Sequence, residues 1–498
     1  MSTALSPKRF RDSAAVILMR GKGRDLEVFW VLRSDVVSVQ PGFHAFIGGK
    51  VDAADAELVL PGIADDLDRA ARACALREML EETGVLAGLT NGTADAATLA
   101  LARERLLAGE ASIASLAAEY GWSFDPNELT FAGRWQTPVF ANVRFDTHFF
   151  MARVPEGQAP SVLPGELASG EWVKPLEALE RYRHGHVTFV APILWALIAL
   201  AEGEDGLAER LARGPERAGQ PIRRIEMQWG VVLHPMATKP LPPSTHTNAY
   251  LIGETEMALV DPGAGDEASL AELFSLIDLL QGEGRRLTMI IVTHHHGDHT
   301  GGVVAARERY GARVVGHARL AERMAIDVAV KDGDWLPLTP GLSGWRLQVV
   351  ETPGHTRDSI SLWQPRLRSL FVGDLLPGGA GSVIIDPPDG DMAQYLASLE
   401  RVAALDPVTL FPAHGSPQGA AVRRIRHLLA HRMERELRVH AALESEPRAI
   451  AELLPLAYSD VKPELWPYAE RSLIAHLEKL EGEGRAVQQG GRWYRADH

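Results

Sequence analysis

The densest group of potential metal ligands in the chain is the stretch Thr293-His294-His295-His296-Gly297-Asp298-His299. Imidazole nitrogens and carboxylate oxygens are ligands that zinc prefers in proteins. The preceding residues, Leu287 to Val292, form a short apolar run that predicts a buried strand. We therefore expect a loop at a strand end, where a rigid scaffold presents functional groups. The spacing predicts that His294 and His296 project together while Asp298 and His299 face a second ion.

Three further residues of the same ligand types follow apolar runs later in the chain. His355 follows Val349 to Gly354, Asp374 follows Ser369 to Gly373, and His414 follows Thr409 to Ala413. A single histidine after a strand more often has a structural role than a metal-binding one. Four strand-end placements in one order favour a shared metal site instead.

These motifs resemble the metallo-β-lactamase fold superfamily, and we assign residues 225–443 to that domain. The resemblance implies an αββα sandwich that holds two zinc ions through seven ligands. The first ion takes His294, His296 and His355, the second takes Asp298, His299 and His414, and Asp374 bridges the two. Asp298 is also the catalytic candidate of this domain. Two ions ~3.5–4 Å apart lower the pKa of a shared water and stabilise both the attacked group and the leaving oxygen.

Two earlier segments match the first strands of the same fold. They are Thr247-Asn248-Ala249-Tyr250 and Leu259-Val260-Asp261-Pro262-Gly263. Asp261 fits two roles equally well. It is either a hydrogen-bond partner of a ligating histidine or a turn residue before Pro262-Gly263.

A second group of carboxylates follows Gly48-Gly49, in the segment Arg77-Glu78-Met79-Leu80-Glu81-Glu82-Thr83-Gly84-Val85. On a helix, Glu78, Glu81 and Glu82 stand at i, i+3 and i+4 and share one face. Grouped carboxylates suit Mg²⁺ or Mn²⁺, which bind a few carboxylates, waters and substrate phosphates. A solvated acidic helix face is the alternative interpretation of this pattern.

This segment resembles the Nudix box, and residues 11 to 200 resemble a Nudix hydrolase domain of the branch related to peroxisomal coenzyme A diphosphatases. The resemblance implies an α/β/α sandwich. It also implies that Glu78, Glu81 and Glu82 hold the metal and catalyse hydrolysis of a small-molecule, diphosphate-linked substrate. Arg77 would orient a glutamate.

The opening half of the box departs from the family's pattern. A longer segment than usual separates Gly49 from the helix, and Arg69 stands in the place of the first glutamate. Asp55 takes that place only when it is counted forward from Gly49. The segment from Leu32 to Gln40 also matches the family's coenzyme A recognition motif poorly. These departures keep open a non-catalytic role, in which the Nudix domain senses a ligand and regulates the zinc hydrolase.

The carboxyl-terminal residues predict a winged helix, because two helices at 448–457 and 463–481 precede a hairpin that turns at Gly490-Gly491. Leu473 to Gly484 and Gly373 to Gly378 resemble the beta-lactamase-like protein 2 family, which extends that resemblance over residues 225 to 498. The family comprises endoribonucleases that act on single-stranded RNA. Packing or dimerisation is the alternative role of this tail, because its acidic and basic residues are nearly balanced.

Composition sets the remaining limits. The chain has 498 residues, of which 46% are hydrophobic and 23% charged, as in ordinary globular proteins. The single cysteine, Cys74, excludes an intramolecular disulfide framework and fits a reducing, cytoplasmic compartment. The longest apolar stretch, Val187 to Ala201, contains Pro192 and is too short to span a membrane. The net charge of −14 argues against broad, charge-driven nucleic-acid binding but permits a local basic groove.

We therefore predict a Nudix domain at 1–205, a linker at 206–224, a metallo-β-lactamase-fold domain at 225–443 and a winged helix at 444–498. The predicted function is metal-dependent hydrolysis. The Nudix domain would cleave diphosphates with Mg²⁺ or Mn²⁺, and the dinuclear zinc site would cleave single-stranded RNA. The alternative for the zinc site is a thioesterase that resembles hydroxyacylglutathione hydrolase.

Overall fold

The computed structural model describes residues 10–37, 39–92, 94–138, 141, 143–213, 225–240, 244–338, 345–379 and 382–496. The chain divides into two compact units, Met1–Trp229 (unit 1) and Gly230–His498 (unit 2). Within the described ranges, the structure has no helix that is both long enough and apolar enough to cross a bilayer.

Unit 1 combines strands and helices throughout its length. Its described strands are β1 Arg11–Arg20, β2 Glu27–Arg33, β3 His44–Ala45, β4 Ile47–Lys50, β5 Leu89–Asn91, β6 Ser123–Phe124, β7 Thr130–Gln136, β8 Phe145–Arg153, β9 Leu167–Val173 and β10 Ile225–Gln228. Its described helices are α1 Asp66–Thr83, α2 Ala96–Leu107, α3 Ile113–Tyr120, α4 Pro175–Arg183, α5 Ala191–Ala201 and α6 Leu207–Arg213.

The main sheet of unit 1 has a hydrophobic core on each face. Its strand order is β3-β2-β1-β8-β7, with β4 paired to β1 and β9 paired to β2. Alternate residues of β1 point to opposite faces, so Val16 and Leu18 enter the core that contains α1, whereas Ile17 and Met19 enter the core that contains α4 and α5. Helices therefore cover both faces of the sheet, as the predicted α/β/α sandwich requires.

The structure corrects one prediction at the end of unit 1. We expected a linker at 206–224, but α6 occupies 207–213 and contacts β7. Leu207 and Leu211, one helical turn apart, are buried in the core that contains α5. Two apolar residues in a segment rich in Gly, Glu and Arg form too narrow a stripe for sequence analysis to detect. The rest of the predicted linker, 214–224, lies outside the described residues.

Unit 2 contains two large sheets and a small one. Its described strands are β11 Val231–Ala237, β12 His246–Ile252, β13 Glu256–Val260, β14 Arg286–Val292, β15 Arg313–His317, β16 Val328–Val330, β17 Trp335–Pro337, β18 Arg346–Glu351, β19 Ile360–Gln364, β20 Ser369–Gly373, β21 Thr409–Pro412, β22 Arg448–Ala449, β23 Ala486–Gln489 and β24 Arg492–Arg495. Its described helices are α7 Glu267–Gly282, α8 Gly297–Thr300, α9 Val303–Tyr310, α10 Met392–Ala404, α11 Ala421–Ala442, α12 Ile450–Ala457 and α13 Trp466–Gly482.

The two large sheets of unit 2 pack face to face. Strands β11 to β16 follow one another in the first sheet, and β17 to β21 do so in the second. Tyr250 of β12 packs edge-on against Phe371 of β20 and Phe411 of β21, with ring centroids 5.4 and 5.6 Å away. Helices α7 and α9 cover the outer face of the first sheet, and α10 and α11 cover that of the second. This is the predicted αββα sandwich.

The carboxyl-terminal residues form the predicted winged helix. Helices α12 and α13 precede a three-stranded sheet of order β22-β24-β23, and Leu453, Leu473, Leu477 and Trp493 share its core. The tail lies in the same compact unit as the sandwich. Ala475 of α13 belongs to the core that α10 and α11 form with the second sheet.

A buried carboxylate joins α11 to α13. Glu436 accepts hydrogen bonds from Lys479 Nζ at 2.8 Å, and from His476 Nδ1 and Arg485 Nη1 at 3.4 Å each. Burial acts to raise the pKa of Glu436, but hydrogen bonds from His476 and Lys479 outweigh it and lower this pKa to about 2. The ionised carboxylate therefore stabilises the packing of the tail.

We expect this carboxylate to make unit 2 sensitive to acid. The folded pKa of Glu436 is about 2, below the unfolded value of roughly 4.3. Its contribution is therefore complete above pH ~5 and is lost as the pH falls toward 2. Glu436→Gln should lower the free energy of unfolding by about 1.5–3 kcal/mol at pH 7 and by much less at pH 3. Urea titrations at both pH values measure this difference, and an equal loss at both would contradict it.

Candidate functional site

The parallel strands of unit 2 bring the predicted ligands together. Strand β13 runs parallel to β14, and β20 runs parallel to β21. Because the carboxyl ends of parallel strands meet at one edge, Asp261 lies beside Thr293, and Asp374 lies near His414. The structure places all seven predicted ligands in three overlapping groups, within each of which the ligand atoms lie within 4.8 Å of one another. These groups are His294-His296-His355, His294-His299-Asp374 and Asp298-His299-His414.

The first group consists of three converging ring nitrogens. His296 Nδ1 lies 3.0 Å from His294 Nε2 and 3.1 Å from His355 Nε2. A proton on His296 Nδ1 can satisfy only one of these neighbours. Zinc–nitrogen bonds of 2.0–2.1 Å in a tetrahedron separate ligand nitrogens by about 3.3 Å, so the three atoms have nearly the spacing of one face of such a site.

The other two groups share His299 and lie around the carboxylate of Asp374. Asp374 Oδ1 lies 3.4 Å from His299 Nε2 and 3.2 Å from His414 Nε2, and Asp298 Oδ2 is 3.4 Å from His414 Nε2. Asp374 Oδ2 lies 3.6 Å from His355 Nε2, which belongs to the first group. Asp374 therefore stands between His355 on one side and His299 and His414 on the other, where a bridging ligand would be needed.

Four of the five histidines use their other ring nitrogen to donate a hydrogen bond away from the cluster. His294 Nδ1 donates to Thr293 Oγ1 at 3.1 Å, and His299 Nδ1 to Asp261 Oδ2 at 2.9 Å. His355 Nδ1 donates to the Ile384 carbonyl at 2.8 Å, and His414 Nδ1 to the His246 carbonyl at 3.0 Å. These bonds fix each tautomer and turn an Nε2 lone pair inward, as metal-ligating histidines require.

The structure distinguishes the two roles considered for Asp261. Its Oδ1 accepts a hydrogen bond from Thr293 N at 2.8 Å, and its Oδ2 accepts from Thr293 Oγ1 at 2.7 Å as well as from His299. Asp261 is therefore the hydrogen-bond partner of a predicted ligand. Its backbone has a positive φ of 50°. Thr293 links Asp261 to His294, a role that the sequence pattern does not reveal.

The middle histidine of the stretch faces away from the cluster. His295 Nδ1 lies 2.9 Å from Asp358 Oδ1, and His295 Nε2 lies 3.4 Å from Asp389 Oδ2. Close backbone packing also fixes the loop: a Cβ on Gly263 would lie 1.8 Å from the Asp298 carbonyl oxygen. Only glycine fits there, so Gly263 allows the close packing that positions the loop carrying the cluster.

The electrostatics of the cluster favour a bound cation. Burial lowers the pKa of His294 well below its usual value and that of His296 to about 4, so both rings are neutral at pH 7. Burial acts to lower the pKa of His414, but Asp374 and Asp298 raise it to about 10. Asp374 itself is ionised, because His414 and His299 outweigh burial and lower its pKa. The carboxylates therefore hold a positive charge, which a proton or a metal ion can supply.

The donor set fits zinc. Two buried atoms of the cluster, His299 Nε2 and Asp374 Oδ1, have no hydrogen-bond partner among the described residues. A buried lone pair that faces a carboxylate is costly unless a cation lies between them. Imidazole nitrogens and carboxylate oxygens are ligands of zinc, and the outward hydrogen bonds leave their lone pairs pointing to common centres.

A cavity of about 320 Å³ opens above the cluster. Its base contains His296, Asp298, His355, Asp374 and His414. Its sides include residues that sequence analysis did not single out, and they come from distant parts of unit 2. These residues are Lys239, Pro240, Ser244, Leu376, Pro377, Ser382, Val383, Ile384, Asp386, Asp389, Tyr468 and Arg471.

In unit 1, Arg77 links the predicted Nudix carboxylates. Its Nη1 donates to Glu78 Oε1 at 2.8 Å and to Glu81 Oε2 at 3.0 Å. Its Nε and Nη2 donate to the two oxygens of Asp55 at 2.8 and 3.1 Å. Asp55 is only 1% exposed, whereas Arg69 pairs with Asp66 on the first turn of α1. Counting forward from Gly49 therefore selects the carboxylate that contacts Arg77.

The third Nudix glutamate contacts Gly48 of β4. Glu82 Oε2 accepts a hydrogen bond from Gly48 N at 2.9 Å, and a Cβ on Gly49 would lie 2.1 Å from Glu78 Oε1. Burial raises the pKa of Glu78 to about 7 and that of Glu82 to about 8. The close ligand groups found in the described part of the chain all lie in unit 2. The three glutamates share one end of α1 but are not among these close groups.

Three known families match separate segments of the chain. The Metallo-beta-lactamase superfamily matches residues 243–414, the Beta-lactamase associated winged helix domain matches 449–493, and the NUDT19 Nudix domain matches 60–200. A Beta-lactamase-like protein 2 homolog from Drosophila melanogaster is 30% identical over 260 residues, which cover 48% of this chain and 83% of that relative. The chain belongs to the beta-lactamase-like protein 2 family.

Two further proteins match only part of this member of the beta-lactamase-like protein 2 family. A Hydroxyacylglutathione hydrolase from Rhodopseudomonas palustris (strain BisB5) is 44% identical over 119 residues, which cover 23% of this chain and 45% of that enzyme. The crystal structure of a NUDIX hydrolase from Alicyclobacillus acidocaldarius is 29% identical, with a TM-score of 0.36, and covers 42% of this chain and 99% of that one.

Membership of these families confirms the predicted combination of a Nudix domain, a metallo-β-lactamase fold and a winged helix. Both catalytic families are hydrolases that depend on divalent metals. The protein is therefore a metal-dependent hydrolase, as the sequence predicted.

Proposed function

We propose that unit 2 is a dinuclear zinc hydrolase that cleaves single-stranded RNA. The observation that carries this proposal is the position of α13, a helix of the winged helix. Its Tyr468 and Arg471 line the cavity above the ligand cluster. An aromatic ring stacks on unpaired bases and a guanidinium pairs with phosphates, so this pair of side chains suits a single-stranded nucleic acid.

The proposed metal centre uses the seven predicted ligands. His294, His296 and His355 would hold one zinc ion, Asp298, His299 and His414 the other, and Asp374 would bridge them. When bound, the ions would supply an activated water and stabilise negative charge on the attacked group. Asp298 forms part of the cavity base, where its carboxylate would orient the attacking water. Asp261 and Thr293 would keep His299 and His294 in the required tautomers.

The similarity pattern supports RNA over a thioester as substrate. The match to the Drosophila relative covers 83% of that protein, whereas the match to the hydroxyacylglutathione hydrolase covers 45% of that enzyme. This chain therefore shares more of its length with the beta-lactamase-like protein 2 relative, 48%, than with the hydroxyacylglutathione hydrolase, 23%. The 44% identity to the hydroxyacylglutathione hydrolase makes thioester hydrolysis the second candidate.

For unit 1 we propose a Nudix diphosphatase that uses Mg²⁺ or Mn²⁺. Glu78, Glu81 and Glu82 would hold the ion at the end of α1, and Arg77 would orient Glu78 and Glu81 through the hydrogen bonds it donates to both. The substrate would be a small molecule linked through a diphosphate. A ligand sensor without catalysis is the second candidate, because the three glutamates do not form one close ligand group. The single cysteine supports a cytoplasmic location.

The experiment for unit 2 compares substrates on the zinc-loaded full chain. We expect cleavage of a single-stranded RNA and little hydrolysis of an acylglutathione thioester. Asp298→Asn should reduce RNA cleavage by about 10²–10³-fold, because it weakens a metal ligand in the cavity base. Its affinity for RNA should stay within a factor of two or three of wild type. Robust thioester hydrolysis without RNA cleavage would reverse the ranking of the two candidates.

A further inference from the structure

We infer that Tyr468, Arg471 and Lys239 form a nucleotide-binding subsite beside the ligand cluster. In this subsite the ring of Tyr468 stacks on one base of the RNA, while Arg471 and Lys239 bind phosphates that flank the scissile bond. The inference rests on the proposed function and specifies which groups of the substrate unit 2 recognises.

Tyr468 has the surroundings of a stacking platform. It lies on the first turns of α13, is 37% exposed, and lines the cavity. Its hydroxyl has no hydrogen-bond partner among the described residues. A large half-exposed ring at the edge of a catalytic cavity costs free energy in water and gains it when a planar group covers the ring. Base–aromatic stacking supplies such a partner irrespective of base identity.

Arg471 is held in place by an ion pair with Asp386 but keeps N–H donors for a ligand. Its Nη1 donates to Asp386 Oδ2 at 2.7 Å, while its side chain stays 53% exposed. A guanidinium carries five N–H donors, so the single bond to Asp386 leaves others for a phosphate. Lys239 also lines the cavity and has no ion-pair partner among the described residues. Asp386 and Asp389 lie in the same wall, but Asp386 pairs with Arg471 and Asp389 lies 3.4 Å from His295 Nε2.

A short loop also connects α13 to the ligand cluster through hydrogen bonds. The loop at Ile384–Asp386 connects the two: the Ile384 carbonyl accepts the hydrogen bond from His355, Ile385 N lies 3.4 Å from Ser472 Oγ, and Asp386 pairs with Arg471. Three successive residues thus contact a predicted ligand at one end and α13 at the other. Tyr468 and Arg471 therefore hold a fixed position relative to the reacting groups, as a specificity subsite requires.

Other basic residues of the tail are less suited to this role. Arg435 is buried and pairs with both oxygens of Asp460 at 2.8 and 2.9 Å. Arg492, on the wing, pairs with Glu452 at 3.2 Å and does not line the cavity. Among the described residues that line the cavity, Lys239 and Arg471 carry a permanent positive charge, which makes them the candidates for binding phosphates next to the cleaved bond.

The first test measures stacking. Binding of a fluorescent hexanucleotide RNA is followed by anisotropy in the full chain carrying Asp298→Asn, so that the ligand stays intact. Tyr468→Ala should weaken binding about tenfold, and Tyr468→Phe should bind like the parent because it keeps the ring. An abasic nucleotide scanned along the RNA should remove the difference between tyrosine and alanine at one position only. A difference that persists at every abasic position would overturn the stacking assignment.

The second test counts phosphate contacts. Each phosphate contact to a single strand contributes about 0.7 to the slope of log affinity against log salt. Arg471→Gln and Lys239→Gln should each reduce that slope by about this amount, whereas Arg492→Gln on the wing should not. A structural role of Arg471 would lower the affinity without changing the slope. Unchanged slopes in both cavity variants, or a reduced slope in the wing variant, would overturn the subsite.

Failure of the subsite and failure of the proposed function give different results. If the zinc-loaded wild type cleaves RNA but the variants bind it with the parent's affinity and slope, only the subsite is wrong. If the wild type neither binds nor cleaves RNA but hydrolyses a thioester, the proposed function is wrong and the subsite fails with it. If it cleaves RNA and Tyr468→Ala raises the KM for RNA about tenfold, both stand.

Discussion

Replacing Asp374 with alanine is expected to lower hydrolysis by unit 2 about a thousandfold and to abolish binding of the two proposed zinc ions. Asp374 faces histidines of both proposed zinc sites, since its oxygens lie 3.2–3.6 Å from nitrogens of His299, His355 and His414. A metal ion supplies several kcal/mol of transition-state stabilisation, and every 1.36 kcal/mol is tenfold in rate. Removing the bridge should therefore cost more activity than removing one terminal ligand such as His296.

The measurement combines metal analysis with kinetics. Wild type should contain about two zinc ions per chain, His296→Ala about one, and Asp374→Ala close to none. His317→Ala is the matched control, because this histidine of unit 2 lies outside the ligand groups and contacts Arg319 N and Glu351. It should keep the metal content and activity of wild type. Full zinc content in Asp374→Ala would contradict the bridging role, and zinc-free wild type would contradict the metal assignment.

The convergence of the seven cluster residues could be predicted from sequence, whereas their role as ligands remains a prediction. The prediction worked because each residue follows a strand, and strand ends at one edge of a fold lie close together. His294, His355 and His414 come from three such ends. The same local pattern could not decide the role of Asp261, because a turn and a hydrogen bond to His299 require the same residue type. Only the parallel pairing of β13 with β14 places its carboxylate beside Thr293.

The sides of the cavity could not be predicted, because they depend on contacts between distant segments. Tyr468 and Arg471 follow the cluster residue His414 by more than fifty positions in the sequence. The sequence of a helix does not show which distant segment an aromatic or arginine side chain will contact. Helix α6 could not be predicted for a related reason. Its two buried leucines are stabilised by contacts with α5 and β7, and the local sequence does not show those contacts.

The Nudix box shows how packing decides between two sequence positions. Two residues are candidates for the place of the first glutamate: Arg69, which stands there relative to the helix, and Asp55, which stands there when counted forward from Gly49. In the structure Asp55 is buried against Arg77, while Arg69 pairs with Asp66. A buried arginine needs a carboxylate partner, since breaking such a pair leaves an uncompensated charge. The departure in sequence therefore keeps an ion pair that holds Arg77 against Glu78 and Glu81, and this supports proposing catalysis for unit 1.

The second large effect is expected from Glu81→Gln, which tests that proposal. Arg77 Nη1 contacts Glu78 and Glu81 together, and the Glu81 side chain is 18% exposed, more than that of Glu78 at 13%. Glu81 is therefore well placed to reach an ion bound to a substrate diphosphate. Glutamine keeps the shape of the side chain but removes the charge that holds Mg²⁺. We expect Mg²⁺-dependent hydrolysis of a nucleoside-diphosphate-linked compound to fall by about a hundredfold or more.

The comparison separates catalysis from sensing. Glu119→Gln is the matched control, because Glu119 is an exposed carboxylate that pairs with Arg105 on another helix of unit 1. It should keep full activity, and both variants should keep the far-ultraviolet circular dichroism of wild type. Hydrolysis by wild type that is lost in Glu81→Gln and retained in Glu119→Gln would support the diphosphatase. If wild type instead binds the compound tightly with Mg²⁺ and never cleaves it, unit 1 is a ligand sensor, because its carboxylates would then hold the ion without positioning a water for attack.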